Sequence, residues 1–276
     1  MAAEPVTRSP FDVARFAAER AARAVRLGAP LRYAPTTGST NDDALAAARE
    51  GEPEGALFVS DEQRAGRGRR GAGWVAPPRA HLMFSLVLRP RVPPDRLSTL
   101  ALATGLAVRE ACARYVTSPL RVKWPNDVEL DGRKLAGILI ESSGVGTARL
   151  AVVVGVGVNV ARVPWPPELT ERATSLEEAG ARVEREALLA EVLAALERRV
   201  AVWEAQGLEA SRAELAAADA LRGEAVTVEG VSGIAAGIAP DGALLIATPE
   251  GVVRVVSGHV VRAGTRGATP APTART

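Results

Sequence analysis

The chain contains very little lysine. Of its 34 Lys and Arg residues two are lysines, Lys123 and Lys134, and the other 32 are arginines. Arginine presents a planar fork of donors, whereas lysine is a compact point charge that fits beside a phosphate or carboxylate oxygen. Because the sequence uses arginine for nearly every cation, Lys123 and Lys134 are candidates for a close contact with an anion. The alternative is a pair of surface cations on a hairpin.

Cysteine and histidine are also scarce. The single cysteine, Cys112, excludes an internal disulfide framework, is typical of a reducing compartment, and falls in a predicted helix as a packing residue. The two histidines, His81 and His259, lie far apart in the sequence and provide no metal-ligand spacing together with the one cysteine. The sequence therefore predicts no transition-metal site.

A large excess of charge and a long apolar run are both missing. The net charge is +2, which is too small to indicate a dedicated nucleic-acid binder even though the pI is about 9.1. The N-terminal MAAEPVTRSP has no signal-peptide core, and LAVVVGVGVNVA is too short to span a bilayer. We expect a cytoplasmic protein with neither DNA nor membrane as a partner.

The patterning predicts four segments along the 276 residues. Residues 1–30 form a helical extension, and residues 31–218 mix long helices and strands without strict βαβ alternation, which favours an α/β or α+β domain with a largely antiparallel sheet. Residues 219–264 hold short β segments separated by glycine-rich turns, which is typical of a small β-barrel. Residues 265–276 are rich in Pro, Thr and Ala and are predicted to be disordered.

The segment GRGRRG, residues 66–71, matches the letters of the dinucleotide fingerprint. That fingerprint requires a following helix, and AGWVAPPRA cannot form one because of its prolines. Arg64 and the three arginines of this segment, placed among three glycines, instead indicate a bendable loop that closes on a polyanion through guanidinium–phosphate pairs. An exposed basic loop, or a nonspecific nucleic-acid patch, is the simpler alternative.

The segment GVGVNV, residues 155–160, alternates small and branched residues. Since side chains alternate between the two faces of a strand, valines occupy one face and Gly155, Gly157 and Asn159 the other. The valines are expected in the core. The bare face would let a ring-shaped ligand lie against the sheet with Asn159 at its rim, or would allow close packing against a helix.

Together these segments resemble the biotin–protein ligases. The resemblance covers roughly residues 30 to 264 and rests on motifs in the order GSTND, EQRAGRGRRGAGW, KWPNDVELDGRKLAGILIE and VGVGVNV, with SGHVV at the end. It implies an α+β catalytic domain like that of class II aminoacyl-tRNA synthetases and an SH3-like C-terminal barrel. It also implies that biotin and MgATP give biotinyl-5′-AMP, from which biotin passes to a lysine of the biotin carboxyl carrier protein of a carboxylase such as acetyl-CoA carboxylase.

The resemblance also assigns roles to matching positions. The positions that would surround biotin are Ser39, Thr40, Asn41, Gln63, Gly137, Gly155 and Gly157. The loop that would fold over biotin and the adenylate contains Gly66, Arg67, Gly68 and Arg69, of which Arg69 would contact phosphate. Trp74 would cover the adenine, Asn159 would reach the adenylate, and Lys134 would contact the biotin carboxylate and the α-phosphate. Lys123 and Asp127 would lie near the nucleotide and the acceptor.

A mechanism follows from charge. A carboxylate attacking an α-phosphate is an anion approaching an anion, and Mg²⁺, Arg69 and Lys134 are expected to offset that repulsion. In the second step the attacking amine must be neutral, and Asp127 is the candidate acceptor of its proton. The loop is expected to exclude water from the reactive intermediate.

Two departures from the family pattern stand out. Arg79-Ala80-His81 replaces a more glycine-rich run, and His259 stands in SGH where SGE is usual. About 38 residues precede GSTND, which is too few for a helix-turn-helix domain, so we expect no operator binding. The competing hypotheses are a lipoate or octanoate ligase or transferase of the same fold and a non-catalytic nucleic-acid-binding protein. The sequence leaves open the choice between monomer and homodimer.

Overall fold

The computed structural model describes residues 8–147 and 149–263, so the predicted disordered tail at 265–276 lies outside the described residues. Over the described residues the chain forms five α-helices and twelve strands. The helices are α1 (Val13–Ala22), α2 (Thr40–Glu50), α3 (Leu100–Cys112), α4 (Arg185–Gln206) and α5 (Arg212–Ala218). The strands of the main domain are β1 (Leu31–Thr37), β2 (Leu57–Gln63), β3 (Leu82–Leu88), β4 (Leu120–Lys123), β5 (Asp127–Leu130), β6 (Arg133–Ser143) and β7 (Ala151–Val158).

The seven strands of the main domain form one sheet in the order β1-β2-β3-β7-β6-β5-β4. Strands β1 and β2 pair in parallel, and every other neighbouring pair in this sheet is antiparallel. The predicted α+β fold with a largely antiparallel sheet is therefore confirmed. A tight turn joins β5 to β6 at Asp131 and Gly132, which both have positive φ, at 51° and 75°.

The two faces of the main sheet are covered differently. The alternate valines of β7 from Val152 to Val158 belong to the large core that the sheet shares with α3 and α4. On the opposite face, Ala44, Leu45 and Ala48 of α2 pack against Phe58 and against alanines and valines near one end of the sheet. The alternation in GVGVNV thus sends its valines into the core, as predicted, and leaves its glycines on the face that α2 covers only in part.

Two helical segments change character along their length. The segment after Pro93 begins as a 3₁₀ helix, Pro94–Thr99, before α3 starts at Leu100. The helical pattern over residues 185–217 is divided at Gly207, whose φ of 70° ends α4 before a short 3₁₀ turn and α5. A residue with positive φ cannot continue an α-helix, and glycine adopts that conformation at little cost.

The C-terminal domain is a five-stranded antiparallel sheet in the order β11-β10-β9-β8-β12. Its strands are β8 (Ala225–Val228), β9 (Val231–Ile238), β10 (Leu244–Thr248), β11 (Gly251–Val255) and β12 (Val260–Arg262). Among the described residues no pairing between β11 and β12 closes this sheet into a barrel. One apolar cluster joins it to the main domain through Leu106, Val122 and Trp124, and the Trp124 indole donates to the Gly242 carbonyl at 2.8 Å.

No helix in the described part of the chain is both long enough and apolar enough to cross a lipid bilayer.

Candidate active site

A row of register partners crosses the main sheet and contains four of the predicted site residues. Lys123 pairs with Asp127, Asp127 with Gly137, Gly137 with Gly157, and Gly157 with Met83. Directly opposed residues on neighbouring strands point to the same face of a sheet. This set, the glycine row, therefore brings together motifs that lie far apart in the sequence.

A β-bulge returns Lys134 to the face of the glycine row. Val128 pairs with Ala136, but the next residue, Glu129, pairs with Lys134, so Leu135 is an extra residue on β6. Leu135 and Ala136 are both fully buried in the main core. Because two successive residues point into the core, the alternation is shifted by one and Lys134 faces the site.

The Lys134 ammonium lies at the edge of the bare glycines. Its Nζ is 2.8 Å from Asp127 Oδ1, and it is 3.0 Å from the position that a Cβ on Gly137 would take. Its Nζ also lies 5.7 Å from the centre of the Trp74 ring, within the range of a cation–π contact. Arginine carries its charge on a longer, planar fork and would not place a point charge at this position, which gives a physical reason for lysine here.

The other lysine has a different partner. Lys123 Nζ lies 3.2 Å from Oε1 of Glu129, which is 4% exposed, and Arg262 donates to both oxygens of Glu129 at 3.0 and 2.8 Å. Arg262 belongs to β12, so these three residues form an interdomain charge cluster. Glu129 was not among the predicted site residues, since its partners come from distant strands.

At the far end of the glycine row the N-terminus of α2 carries a group of buried polar side chains. Gln63 Oε1 accepts from the Thr40 backbone N–H at 2.8 Å and from the Thr40 hydroxyl at 3.1 Å. The Ser85 hydroxyl, missed in the sequence, lies 2.8 Å from Thr40 Oγ1 and 2.6 Å from Asn41 Oδ1. Ser39 is buried beside them, and its side chain does not cap α2. The three residues predicted from the GSTND motif, Ser39, Thr40 and Asn41, thus lie together with the fourth predicted residue, Gln63.

Asn41 fills the space above Gly155. A Cβ on Gly155 would lie 2.0 Å from Asn41 Oδ1, so this glycine is required by the asparagine. Asn41 Nδ2 donates to Glu141 Oε2 at 2.8 Å, and Arg67 Nη2 donates to the same oxygen at 2.9 Å. Arg67 also pairs with Asp42 on α2. Glu141 therefore links β6, α2 and the loop that contains Arg67, a role that the sequence alone did not indicate.

Residues 66–74, the arginine loop, form a narrow turn that is closed on itself. The Trp74 N–H donates to the Gly66 carbonyl at 2.9 Å, and Arg67 and Gly73 form a β-bridge. A Cβ on Gly66 would lie 2.8 Å from the Trp74 carbonyl oxygen, so a glycine is needed there. The next α-helix is α3, which begins only at Leu100, and the dinucleotide-binding hypothesis is therefore excluded.

Two further arginines of the loop have distinct surroundings. Arg69 is half-buried, and its Nη1 lies 3.4 Å from Asn126 Oδ1 in the KWPND segment. Burial lowers the pKa of Arg69 from its ordinary value, while the Asp127 carboxylate raises it and Arg70 lowers it. Arg70 pairs with Glu229 in the turn between β8 and β9.

The Trp74 indole lies on the predicted ligand floor. A Cβ on Gly157 would be 2.5 Å from Trp74 Cε2, and one on Gly137 would be 3.1 Å from Trp74 Cζ3. The indole Nε1 is buried without a hydrogen-bond partner among the described residues. The bare face therefore accommodates a flat ring, and in this structure that ring belongs to the protein.

Asn159 lies just beyond the end of β7 and not on the strand. Its Nδ2 donates to the Lys134 and Thr174 carbonyls at 3.2 and 3.0 Å. One amide hydrogen thus holds the start of β6 and the other holds the segment at Thr174, and Oδ1 is the atom left to meet a ligand. The predicted contact of Asn159 with the adenylate stays a prediction.

The Arg79-Ala80-His81 departure forms a buried corner next to Asn159. Arg79 has a φ of 63°, and Ala80 accepts from the Ala161 N–H at 2.9 Å. His81 Nδ1 accepts from the Val160 N–H at 3.2 Å, and its ring stacks on Trp165 at 5.6 Å. Burial lowers the pKa of His81 to about 4, so the imidazole is neutral at pH 7. This corner fixes the segment that carries Asn159.

Within residues 8–147 and 149–263, no group of three or more His, Cys, Asp or Glu residues could hold a metal ion.

Comparison with known proteins identifies the class to which this fold and site belong. Residues 33–159 match the biotin/lipoate A/B protein ligase family, and residues 222–262 match the biotin protein ligase C-terminal domain. The two matches include the glycine row, the arginine loop and most of the C-terminal sheet. The fold and the site thus define a protein ligase of the biotin/lipoate type.

Individual relatives show which branch of this class the chain resembles. The biotin–[acetyl-CoA-carboxylase] ligase of Mycobacterium tuberculosis is 37% identical over 270 residues, which cover 92% of this chain and 96% of that protein. The ligase of the same name from Paracoccus denitrificans is 38% identical over 226 residues, covering 78% and 93%. The structure of biotin protein ligase from Aquifex aeolicus in complex with biotin and ATP superposes with a TM-score of 0.73 at 29% identity, covering 84% and 97%. The chain belongs to the biotin–protein ligase family.

Proposed function

We propose that this protein activates biotin with ATP and transfers it to a lysine of a biotin carboxyl carrier protein. The observation that carries the proposal is the glycine row, which places a floor for a flat ligand between the polar side chains of α2 and the Lys134–Asp127 pair. The names of its relatives, which are biotin–[acetyl-CoA-carboxylase] ligases, support the same reaction.

Biotin would lie with its ureido ring towards α2 and its carboxylate towards Lys134. Ser39, Thr40, Asn41 and Gln63 are buried or half-buried donors and acceptors, the type of group that fixes the orientation of a ligand in an apolar site. Gly137, Gly155 and Gly157 carry no side chain on this face. Since the Trp74 indole covers two of these glycines in this structure, we propose that ligand binding moves the indole towards the adenine.

In the first step a biotin carboxylate oxygen would attack the α-phosphorus of ATP. The new bond joins that oxygen to phosphorus, the bond from the α-phosphorus to its bridging oxygen breaks, and pyrophosphate leaves with the electron pair. Lys134 and the half-buried Arg69 would offset the charge that accumulates on the phosphoryl oxygens. Gly66, Arg67 and Gly68 would keep the loop closed over the product and exclude water.

Magnesium would enter with the nucleotide. Mg²⁺ is usually held by substrate phosphates, water and one or two carboxylates and not by a complete protein cage, which fits a site without a three-residue metal cluster among the described residues. It would neutralise phosphate charge there.

In the second step the neutral ε-amine of the carrier lysine would attack the acyl carbon, and AMP would leave. The amine loses one proton, and Asp127 is the proposed acceptor because it lies on the same face of the sheet as Gly137 and Gly157. Lys123 would act by fixing this part of the sheet, since its ammonium lies beside Glu129. ATP and the carrier, together with a single buried thiol, favour a cytoplasmic location.

Two alternatives are weaker. A lipoate or octanoate ligase shares the main domain, but the relatives that cover most of this chain are named as biotin ligases. A nucleic-acid patch would need unneutralised arginines, whereas Arg67 and Arg70 are paired with carboxylates of the protein.

The test is to incubate the purified protein with MgATP and biotin, lipoate or octanoate, without a carrier, and to identify bound adenylates by mass spectrometry. We expect biotinyl-AMP alone, and biotin transfer once a carrier domain is added. Formation of lipoyl- or octanoyl-AMP in preference to biotinyl-AMP would contradict the proposed substrate, and the absence of any adenylate would contradict the proposed reaction.

A further inference from the structure

We propose that Glu229, in the C-terminal domain, is a positioning residue that holds the arginine loop closed over the site through Arg70. The inference rests on the function proposed above, because it assigns to the C-terminal sheet a part in retaining the adenylate. The Glu229 carboxylate bonds to Arg70 and to the His259 backbone, so its effect on the site would pass through the loop.

The backbone of both partners indicates that this contact is built into the fold. Arg70 has a φ of 56° and is followed by Gly71 at 77°. Glu229 has a φ of 48° and is followed by Gly230 at 83°. A left-handed conformation is uncommon in residues other than glycine, asparagine and aspartate. Two tight turns from different domains therefore present one arginine and one glutamate to each other.

The carboxylate of Glu229 is also held from within its own domain. Its Oε1 accepts from the His259 backbone N–H at 3.3 Å. A Cβ on Gly258 would lie 2.9 Å from Glu229 Cγ and 3.2 Å from Oε1, so the missing side chain of Gly258 makes room for Glu229. His259, which departs from the family pattern, thus contributes its backbone to this contact.

The loop is fixed on two sides of the site. Arg67 pairs with Glu141 and Asp42 of the main domain, and Arg70 pairs with Glu229 of the C-terminal domain. Between them stands Arg69, directed at Asn126. Holding Arg70 restricts the neighbouring Arg69, the arginine proposed to contact phosphate.

The pair is suited to a loop that must reopen. The Arg70 and Glu229 side chains are 59% and 48% exposed. Exposed ion pairs contribute little and are screened by salt, so the contact biases the loop towards closure without locking it. An effect of up to about fivefold on loop closure is what such a pair supports.

The test compares Glu229→Gln with the matched control Glu250→Gln, an exposed acid in the β10–β11 turn of the same domain. The first measurement is amide hydrogen exchange over residues 66–74 of the ligand-free protein, and the second is the rate at which biotinyl-AMP leaves the enzyme. We expect Glu229→Gln to increase both rates up to about fivefold, with an unchanged melting temperature and with wild-type rates in the control.

A double-variant comparison separates this role from a general structural one. Arg70→Gln should raise both rates as Glu229→Gln does, and the double variant should add nothing further, because either change removes the same contact. The charge-reversed pair Arg70→Glu with Glu229→Arg should restore slow exchange. Wild-type rates in Glu229→Gln, additive effects in the double variant, or fast exchange in the reversed pair would overturn the proposal. The exchange measurement needs no adenylate, so it reports on the contact even if biotin activation fails.

Discussion

The Trp74 indole lies directly on Gly157, and a Cβ at that glycine would come within 2.5 Å of the ring. Gly157 pairs with Gly137 across the sheet, so the indole covers a strip of bare backbone two strands wide. We propose that a ring-shaped ligand uses the same strip. The relationship therefore links the arginine loop to the proposed floor of the site.

Adding a methyl group at Gly157 should interfere both with the Trp74 indole and with a ligand that lies on this strip. We expect Gly157→Ala to displace Trp74 and to weaken biotin binding about tenfold or more, since the Cβ intrudes where a flat ring must lie. Isothermal titration with biotin measures the affinity, and tryptophan fluorescence reports the displaced indole.

Gly38→Ala is the control for this change, because a Cβ at Gly38 meets nothing within 4 Å. It should bind biotin as the parent does. Equal affinity in Gly157→Ala and the parent would show that the ligand does not use the glycine strip.

The two lysines should respond differently to replacement by arginine. Lys134 Nζ is 2.8 Å from Asp127 Oδ1 and 5.7 Å from the centre of the Trp74 ring, and the planar guanidinium of an arginine would not reproduce this point charge. We expect Lys134→Arg to lower the rate of adenylate formation by about 10²-fold, a loss typical of one misplaced electrostatic contact in a transition state. Single-turnover formation of biotinyl-AMP measures it.

Lys123→Arg is the matched comparison. Lys123 pairs with Glu129 in a cluster that already contains Arg262, so an arginine retains the charge and the hydrogen-bonding capacity. Adenylate formation should stay within about threefold of the parent. Equal losses in the two variants would contradict the distinction drawn between the lysines.

The alternation of residues in β7 was sufficient to predict that its valines enter the core and its glycines do not. Valine and glycine at successive positions of β7 determine which face enters the core, and the Asp131-Gly132 turn follows from the conformations those residues tolerate. Local rules of this kind depend on neighbours in the sequence.

The remaining features depend on distant partners. The bulge at Leu135 depends on how Leu135 and Ala136 pack in the core beneath β6. The position of the Trp74 ring over Gly157 depends on how the arginine loop folds back onto the sheet. Glu141 and Glu229 gain their roles only when α2, β6 and the C-terminal sheet surround the arginine loop. A carboxylate in a sequence carries no sign of which arginine it will meet.

The interdomain charge cluster predicts a coupling between stability and domain contact. Glu129 is 4% exposed and is shared by Lys123 and Arg262. Removing Arg262 leaves a buried carboxylate with one weaker partner, so Arg262→Met should lower the free energy of unfolding by about 3 kcal/mol. Urea denaturation monitored by circular dichroism measures it.

The double variant Arg262→Met with Glu129→Gln is the control. It removes the unpaired charge together with its partner and should recover part of the lost stability. A double variant less stable than Arg262→Met would mean that Glu129 stabilises the protein through contacts other than Arg262.

His81 predicts that stability falls in mild acid. Burial lowers its pKa from 6.5 to about 4, so the unfolded chain binds the proton more tightly than the folded one. The contribution of neutral His81 to the free energy of unfolding is therefore complete above about pH 6.5 and is lost as the pH falls towards 4. The loss amounts to about 2 kcal/mol by pH 5. Denaturant unfolding at pH 7 and pH 5 measures this difference.

Replacing His81 should remove that part of the pH dependence. His81→Asn keeps an acceptor for the Val160 N–H but has no proton to bind, so its stability should change less between pH 7 and pH 5 than that of the parent. His259→Asn, at an exposed position, should retain the steeper dependence of the parent. If His81→Asn and His259→Asn lose stability equally on acidification, the acid sensitivity arises from other groups, and the corner at residues 79–81 is not its source.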